Sequence, residues 1–222
     1  MRDMDLVADF FPPSNGLSDA AARAKLEALR AALDSGDVSA LDDRQQAFAE
    51  RIAQATQKIG SGTEIKRVSE LMTLAQFGPA SIGAAVAQAC DDEPSQPVAE
   101  ALFVARFLVE VVFAAARAPA LLPDDLLKKH QLDREQVSWP AAAPVYLALL
   151  TRAAETINRA ETAGIVIASP ALRKMLARHR MQTSRQITRL HNRDPASPGT
   201  RLTGFDNVVI SIKLLLRLRG AS

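Results

Sequence analysis

The stretch from Pro97 to Leu132 sets the tightest limit on the fold. It reads PVAEALFVARFLVEVVFAAARAPALLPDDLLKKHQL. Over 97–118 the only charges are Glu100, Arg106, Glu110 and Arg117, and apolar residues occupy every face. That is the pattern of a helix surrounded by protein. Pro119 ends it, and the chain re-enters through Leu122-Pro123-Asp124. Arg106 and Glu110 stand four apart, so they share a face that is otherwise Val, Phe, Leu and Ala. Such a pair is either a buried structural ion pair or what remains of a polar site. Those two charges also interrupt the run before it reaches the roughly 18 uncharged apolar residues of a membrane span, so none is predicted.

A core helix needs a core around it. With 222 residues, 48% of them apolar, the chain can bury one sizeable core, and a single domain over 1–222 is expected. Alanine is abundant, aromatics are 5%, and strand-favouring runs are scarce. The expectation is an all-α bundle of about eight helices around an apolar cavity. The lone Cys90 excludes an internal disulfide and fits small-residue packing in a reducing compartment. No basic segment followed by an apolar one opens the chain, so no signal peptide is predicted, and a cytoplasmic location is expected.

The periodicity places a first helix within Met1–Phe11 and a second over Ala20–Leu33, with Ser18 as cap and Asp19 in the first turn. A polar helix is expected over Asp42–Ile59, then one capped by Thr63 over Glu64–Phe77. Gly78-Pro79 reads as a break before a small-residue helix, Ala80–Cys90. After the long apolar helix come a short one near Asp124–His130, a long one within Pro140–Ile167, a basic one over Ala171–Asn192, and a last apolar one over Phe205–Arg219.

Charge is uneven along this series. From Pro170 onward eleven Lys and Arg face only Asp194 and Asp206. The basic helix carries Arg173, Arg178, Arg180, Arg185, Arg189 and Arg193. An anionic partner (a phosphate ligand, a membrane surface or a nucleic acid) is one reading, and a solvated helix face is the other. The helix lacks aromatics for base stacking, which argues against single-stranded nucleic acid. His130, His179 and His191 have no metal-ligand spacing, and His179 and His191, set among arginines, read as surface residues. Gly60-Ser61-Gly62 follows a helix and reads as a turn rather than a phosphate loop.

Near the start, Asp5 and Asp9 are four apart in RDMDLVAD, a spacing that can hold Mg²⁺ and present it to a diphosphate, although acidic residues also favour helix starts. The string Arg2-x-x-Asp5-x-x-x-Asp9 with the following helix resembles the first aspartate-rich motif of the squalene/phytoene synthase family. Phe77-Gly78-Pro79-Ala80-Ser81-Ile82-Gly83 is similar to that family's small-residue stretch. Ala101-Leu102, Arg106, Glu110, Ala114 and Leu121-Leu122-Pro123 keep the spacing of its second motif and Leu-Pro turn. Leu126–Leu132 and Arg201–Leu216 resemble the helices that follow, so the likeness runs along nearly the whole chain.

The resemblance implies an isoprenoid synthase fold in which two aspartate-rich helices hold Mg²⁺ and prenyl diphosphates, as in hopanoid- or carotenoid-type metabolism. It implies Asp5 and Asp9 as metal ligands and Arg2 and Arg106 as diphosphate-binding residues. Against the family pattern, the second motif is altered to Arg106, Glu110 and Ala114, and the chain begins at the first motif, without the helices that precede it in the family. Losing one metal-binding aspartate pair removes charge stabilisation worth several kcal/mol.

Three functions follow as expectations. The first is a degenerate family member that binds a prenyl diphosphate, an apolar ligand or a partner chain (another protein or a second copy) with weak or no catalysis alone. There Arg106 and Glu110 form a salt bridge, and removing one partner costs about 3–5 kcal/mol. The second is an active Mg²⁺-dependent prenyltransferase in which Arg106 replaces a metal. The third is a helical adaptor, unrelated to isoprenoids, whose basic helix binds an anion or a membrane. A peripheral place on the inner membrane face is compatible with all three.

Overall fold

The computed structural model describes residues 4–12, 17–116, 119–191 and 193–219, with side chains described up to 214. Arg2 and Arg117 lie outside the described residues. The architecture is all-α, with no strand among the described residues. Its α-helices are α1 (Leu6–Phe10), α2 (Ala20–Ser35), α3 (Asp43–Gly60), α4 (Val68–Ala75), α5 (Ser81–Ala89), α6 (Gln96–Ala115), α7 (Asp124–Lys129), α8 (Ala143–Thr162), α9 (Pro170–Leu190) and α10 (Gly204–Arg219).

The long apolar helix is the axis of the bundle. Thirteen of the residues of α6 are buried, among them Phe103, Phe107, Leu108, Val111 and Val112. Its most extensive neighbour is α8, which turns Val145, Tyr146, Leu149, Leu150, Ala153 and Ile157 inward. Those positions recur every three or four residues, so one stripe of α8 lies along α6. The small-residue helix α5 packs on another side, and Gly83 explains how closely. A Cβ there would sit 2.8 Å from the backbone carbon and oxygen of Ala99. Only a residue without a side chain lets the two helix backbones meet. A contiguous set of buried residues runs from Leu6 to Leu190.

Three boundaries differ from the sequence reading. Asp19, not Ser18, caps α2 by accepting from the amide of Ala22. Thr63–Arg67 is not helical but an irregular segment. Ile65 donates to the carbonyl of Ala120, and Asp124 donates back to Ile65, so this segment lies beside the Leu-Pro turn. Asp125 then accepts from the amide of Val68, which gives α4 its cap from a distant part of the chain. Arg134 locks the same junction by donating to the carbonyls of Pro119, Ile65 and Leu122 and to Asp124.

Gly78-Pro79 is not a break. A wide π-type turn over Gln76–Ala80 carries the helix from α4 into α5. Such a turn can absorb a proline, whose missing N–H disrupts the regular ladder. At Gly78 the added Cβ would lie 2.6 Å from the Leu6 side chain, so α1 docks against this turn.

Candidate ligand-binding site

A cavity of about 640 Å³ opens where α1, α2, α6, α9 and α10 meet. The helix pattern builds it directly. α6 contributes Phe103 and Arg106, one turn apart; α9 contributes Lys174, Met175, Arg178, His179 and Gln182; α1 contributes Ala8, Asp9 and Phe10. Phe11 and Arg30 close one side, and Ser211 and Leu214 of α10 the other. The walls combine aromatic and aliphatic surface with Arg30, Arg106, Lys174 and Arg178. Asp9 is the sole carboxylate among the described lining residues. The volume falls within the range of small-molecule sites.

Arg106 is held but not neutralised. It donates to the backbone carbonyl of Asp9 at 2.6 Å and lies over the Phe10 ring, 5.0 Å from its centroid. Burial lowers its pKa, and the charges of Glu110 and Asp9 act in the opposite sense. The expected Arg106–Glu110 salt bridge is not made. Glu110 instead accepts from Arg201 at 3.4 Å, and Arg201 stacks over Phe113 at 4.3 Å. The reason is that α1 places a carbonyl and an aromatic face against Arg106, while the loop before α10 brings a second guanidinium to Glu110. Of the altered second motif, Arg106 therefore faces the cavity, whereas Glu110 and the partly buried Ala114 are not among its walls.

Asp5 and Asp9 come together, though at a helix start. Asp5 is the N-cap of α1 and accepts from the amide of Ala8 at 3.0 Å. Asp9 reaches back and accepts from the amide of Asp5 at 2.9 Å. This is a reciprocal cap in the manner of a capping box. Among the described residues no group of three or more His, Cys, Asp or Glu is placed to hold a metal ion.

The basic helix does not present a continuous cationic face. Arg189 forms a two-pronged pair with Asp206 at 2.6 and 2.8 Å, and Arg185 reaches the same carboxylate at 2.8 Å. Asp206 is 2% exposed and also accepts from Thr203, whose bonds hold its pKa well below the usual carboxylate range. Arg180 pairs with Glu161. Arg173 turns to the carbonyl of Ile167, and Arg193 is exposed. Of the six, only Arg178 lines the cavity, joined by Lys174, and both are exposed.

His179 was expected at the surface and is buried, 6% exposed. Its ring stacks on Phe103 with centroids 4.5 Å apart and planes 16° apart. Burial first, and Arg106 second, push its pKa well below the ordinary histidine value, while a hydrogen bond to the backbone of Leu102 acts the other way. Its Nε2 has no hydrogen-bond partner among the described residues. The signal was present in the sequence. The buried stripe Leu172, Met175, Leu176, His179, Thr183, Gln186, Leu190 has helical spacing, and His179 falls within it. Neighbouring arginines concealed that periodicity. His191, by contrast, is exposed as expected. Cys90 is buried, and its thiol is pushed up to about 11 by that burial, which suits packing rather than reactivity.

No helix among the described residues is long and apolar enough to cross a membrane. No family model, no curated protein and no solved structure matches the chain.

Proposed function

We propose that this chain binds an apolar-tailed organic phosphate, of the prenyl diphosphate type, in the cavity between α1, α2, α6, α9 and α10, without efficient catalysis of its own. The observation that supports this reading is convergence. Arg30, Arg106, Lys174 and Arg178 come from three helices to one cavity whose remaining walls include Phe10, Phe11, Phe103, Met175 and Leu214. Cationic side chains take a phosphate through charge-assisted hydrogen bonds. The apolar wall takes the tail, at roughly 25 cal/mol for each Å² removed from water. The resemblance to squalene/phytoene synthases supplies the prenyl chemistry.

Mg²⁺ at Asp5 and Asp9 belongs to the enzyme reading, and the fit is poor. Both carboxylates accept backbone amides of the α1 cap, and a metal would compete for the same oxygens. On α6 the motif residues Arg106, Glu110 and Ala114 offer one carboxylate, already bonded to Arg201. Binding is therefore assigned to the guanidinium and ammonium groups. Titration with farnesyl diphosphate, with and without Mg²⁺, tests it. Saturable binding is expected in both, weakened at least about tenfold by Arg106→Gln with Lys174→Gln. Farnesol binding as tightly as its diphosphate would remove the anionic half of the proposal. Turnover with diphosphate release, abolished by Asp5→Ala, would replace binding with catalysis.

A second reading, compatible with the first, rests on α10. Phe205, Val208 and Ile212 are exposed at 74%, 55% and 51% and lie on one helix face. The sequence around them holds Arg201, Lys213, Arg217 and Arg219, and Asp206 is buried. An apolar stripe with cationic flanks suits the surface of an anionic bilayer. Co-sedimentation with anionic but not neutral vesicles, reduced by Phe205→Ser with Ile212→Ser, is the expected result. Equal sedimentation with both lipids would exclude it.

A further inference from the structure

The helix that closes one side of the cavity also carries an exposed apolar stripe. α10 turns Ser211 and Leu214 to the cavity, and Phe205, Val208 and Ile212 outward. Its attachment to the bundle differs from that of the other helices. Each of α1 to α9 gives residues to the contiguous apolar core; the buried Ile210 and Leu214 of α10 stand apart from it. The principal neighbour of α10 is α9. The polar contacts between the two gather at the first turn of α10, where Asp206 takes Arg185 and Arg189 and Asn207 accepts from Gln182 at 2.7 Å. Further along, Ser211 donates within its own helix, to the carbonyl of Asn207. A helix clamped by charges at one end and seated by two apolar side chains beyond it opens at lower cost than a core helix.

We infer that α10 is a gate between the cavity and an anionic bilayer: seated on lipid by its outer stripe, it parts from α9 at the Leu214 end, pivoting on the Asp206 clamp, and the ligand passes directly between cavity and membrane. This rests on both readings above, the phosphate cavity and the lipid-facing α10, and couples them. Charge commits the outer face to anionic lipid. Asp206, the sole acidic residue of α10, is turned inward to the arginines of α9. Lys213 is exposed, and Arg201 stands half exposed just before the helix. Parting from α9 uncovers Ile210 and Leu214, and the interface of a bilayer takes up such apolar area where water does not. The same movement takes away the wall that separates the cavity from the lipid. The tail of an apolar phosphate then avoids passage through water.

The test follows transfer of a fluorescent geranylgeranyl monophosphate from the loaded full chain to vesicles that carry a quencher. Direct passage is an encounter of two particles. Below saturation, the transfer rate is therefore expected to rise about tenfold for a tenfold increase in phosphatidylglycerol vesicles. With phosphatidylcholine vesicles it stays at the rate of escape into water, whatever their concentration. Asp206 is not a cavity wall, so its substitution reaches the ligand through α10. In Asp206→Asn, escape into water is expected to quicken at least about tenfold, because charge-assisted bonds of the clamp are lost. Hydrogen exchange reads the same motion without ligand: amides of 208–214 are expected to exchange faster in Asp206→Asn, with those of α6 unchanged. A transfer rate independent of phosphatidylglycerol concentration, from a chain that binds the probe and sediments with those vesicles, overturns the gate and leaves both readings standing. An Asp206→Asn chain that retains its ligand as long as wild type overturns it equally. Failure to bind the probe overturns the cavity reading, failure to sediment overturns the lipid reading, and the gate falls with either.

Discussion

The two sides of α6 are built on opposite terms. One carries Val104, Leu108, Val111 and Ala115, all buried and all without a polar atom in the side chain. The other carries Phe103, Arg106 and Glu110, where a guanidinium meets a backbone carbonyl, an aromatic ring meets an imidazole, and a cavity remains. The first side can be filled to the density of an organic solid, so each methylene counts. The second keeps a charged group and an unpartnered nitrogen near the interior, an arrangement that reduces stability and persists where it serves a ligand. The comparison predicts that substitutions on the first side change stability alone, while those on the second change binding with little loss of stability.

The hardest test of the apolar side is Leu108→Ala. Leu108 is fully buried, and its truncation is expected to destabilise by about 2–5 kcal/mol, read from urea denaturation. A loss under about 1 kcal/mol would mean the helix is not close-packed there. Gly83→Ala comes next. A methyl group 2.8 Å from the Ala99 backbone must push α5 off α6, at about 1–3 kcal/mol, despite the better helix propensity of alanine. A variant more stable than wild type would show that the helices have room to separate.

Arg106→Met sharpens the comparison from the other side. Exchanging a desolvated charge for an apolar chain of similar length is often neutral or stabilising. Stability is expected to change by less than about 1 kcal/mol, in either direction, while affinity for farnesyl diphosphate falls at least about tenfold. Equal losses of both would show that Arg106 is structural. Glu110→Ala belongs with it. Its partner Arg201 is half exposed, so the expected cost is about 0–1 kcal/mol, far below that of breaking a buried pair.

How much of this was legible in the chain follows from what each signal depends on. The all-helical class and the ends of α6, α8 and α9 are set by local periodicity and proline, and these were readable within a few residues. Thr63–Arg67 was not, because its non-helical form answers to the carbonyl of Ala120 and to Arg134, both distant in sequence. The Arg106–Glu110 pair looked natural at four-residue spacing, yet each charge found a better partner on another element, α1 for one and the loop before α10 for the other. Spacing along one helix fixes who can meet, and tertiary neighbours decide who does. The buried position of His179 follows the same lesson in reverse: its helical phase was correct evidence, and the arginines beside it were not.

A last effect separates the two sides by pH. In the folded chain without ligand, the pKa of His179 lies well below the ordinary value near 6.5. The unfolded chain therefore takes up a proton on acidification before the folded one does. This contribution to stability is complete above the unfolded value and is lost as pH falls below it, by at most about 1.4 kcal/mol per pH unit. Asp206 acts in a separate window. Its folded pKa is depressed below the ordinary aspartate value of 3.8, so its contribution is present above that value and declines only in stronger acid. Between about pH 7 and pH 5, then, the slope of stability belongs chiefly to His179, and His179→Phe is expected to flatten it. Leu108→Ala should lower the whole curve without changing that slope. Denaturation curves at several pH values measure both, and an unchanged slope in His179→Phe would place the imidazole in contact with water, in which case the contrast between the two sides of α6 disappears at the one position where it is sharpest.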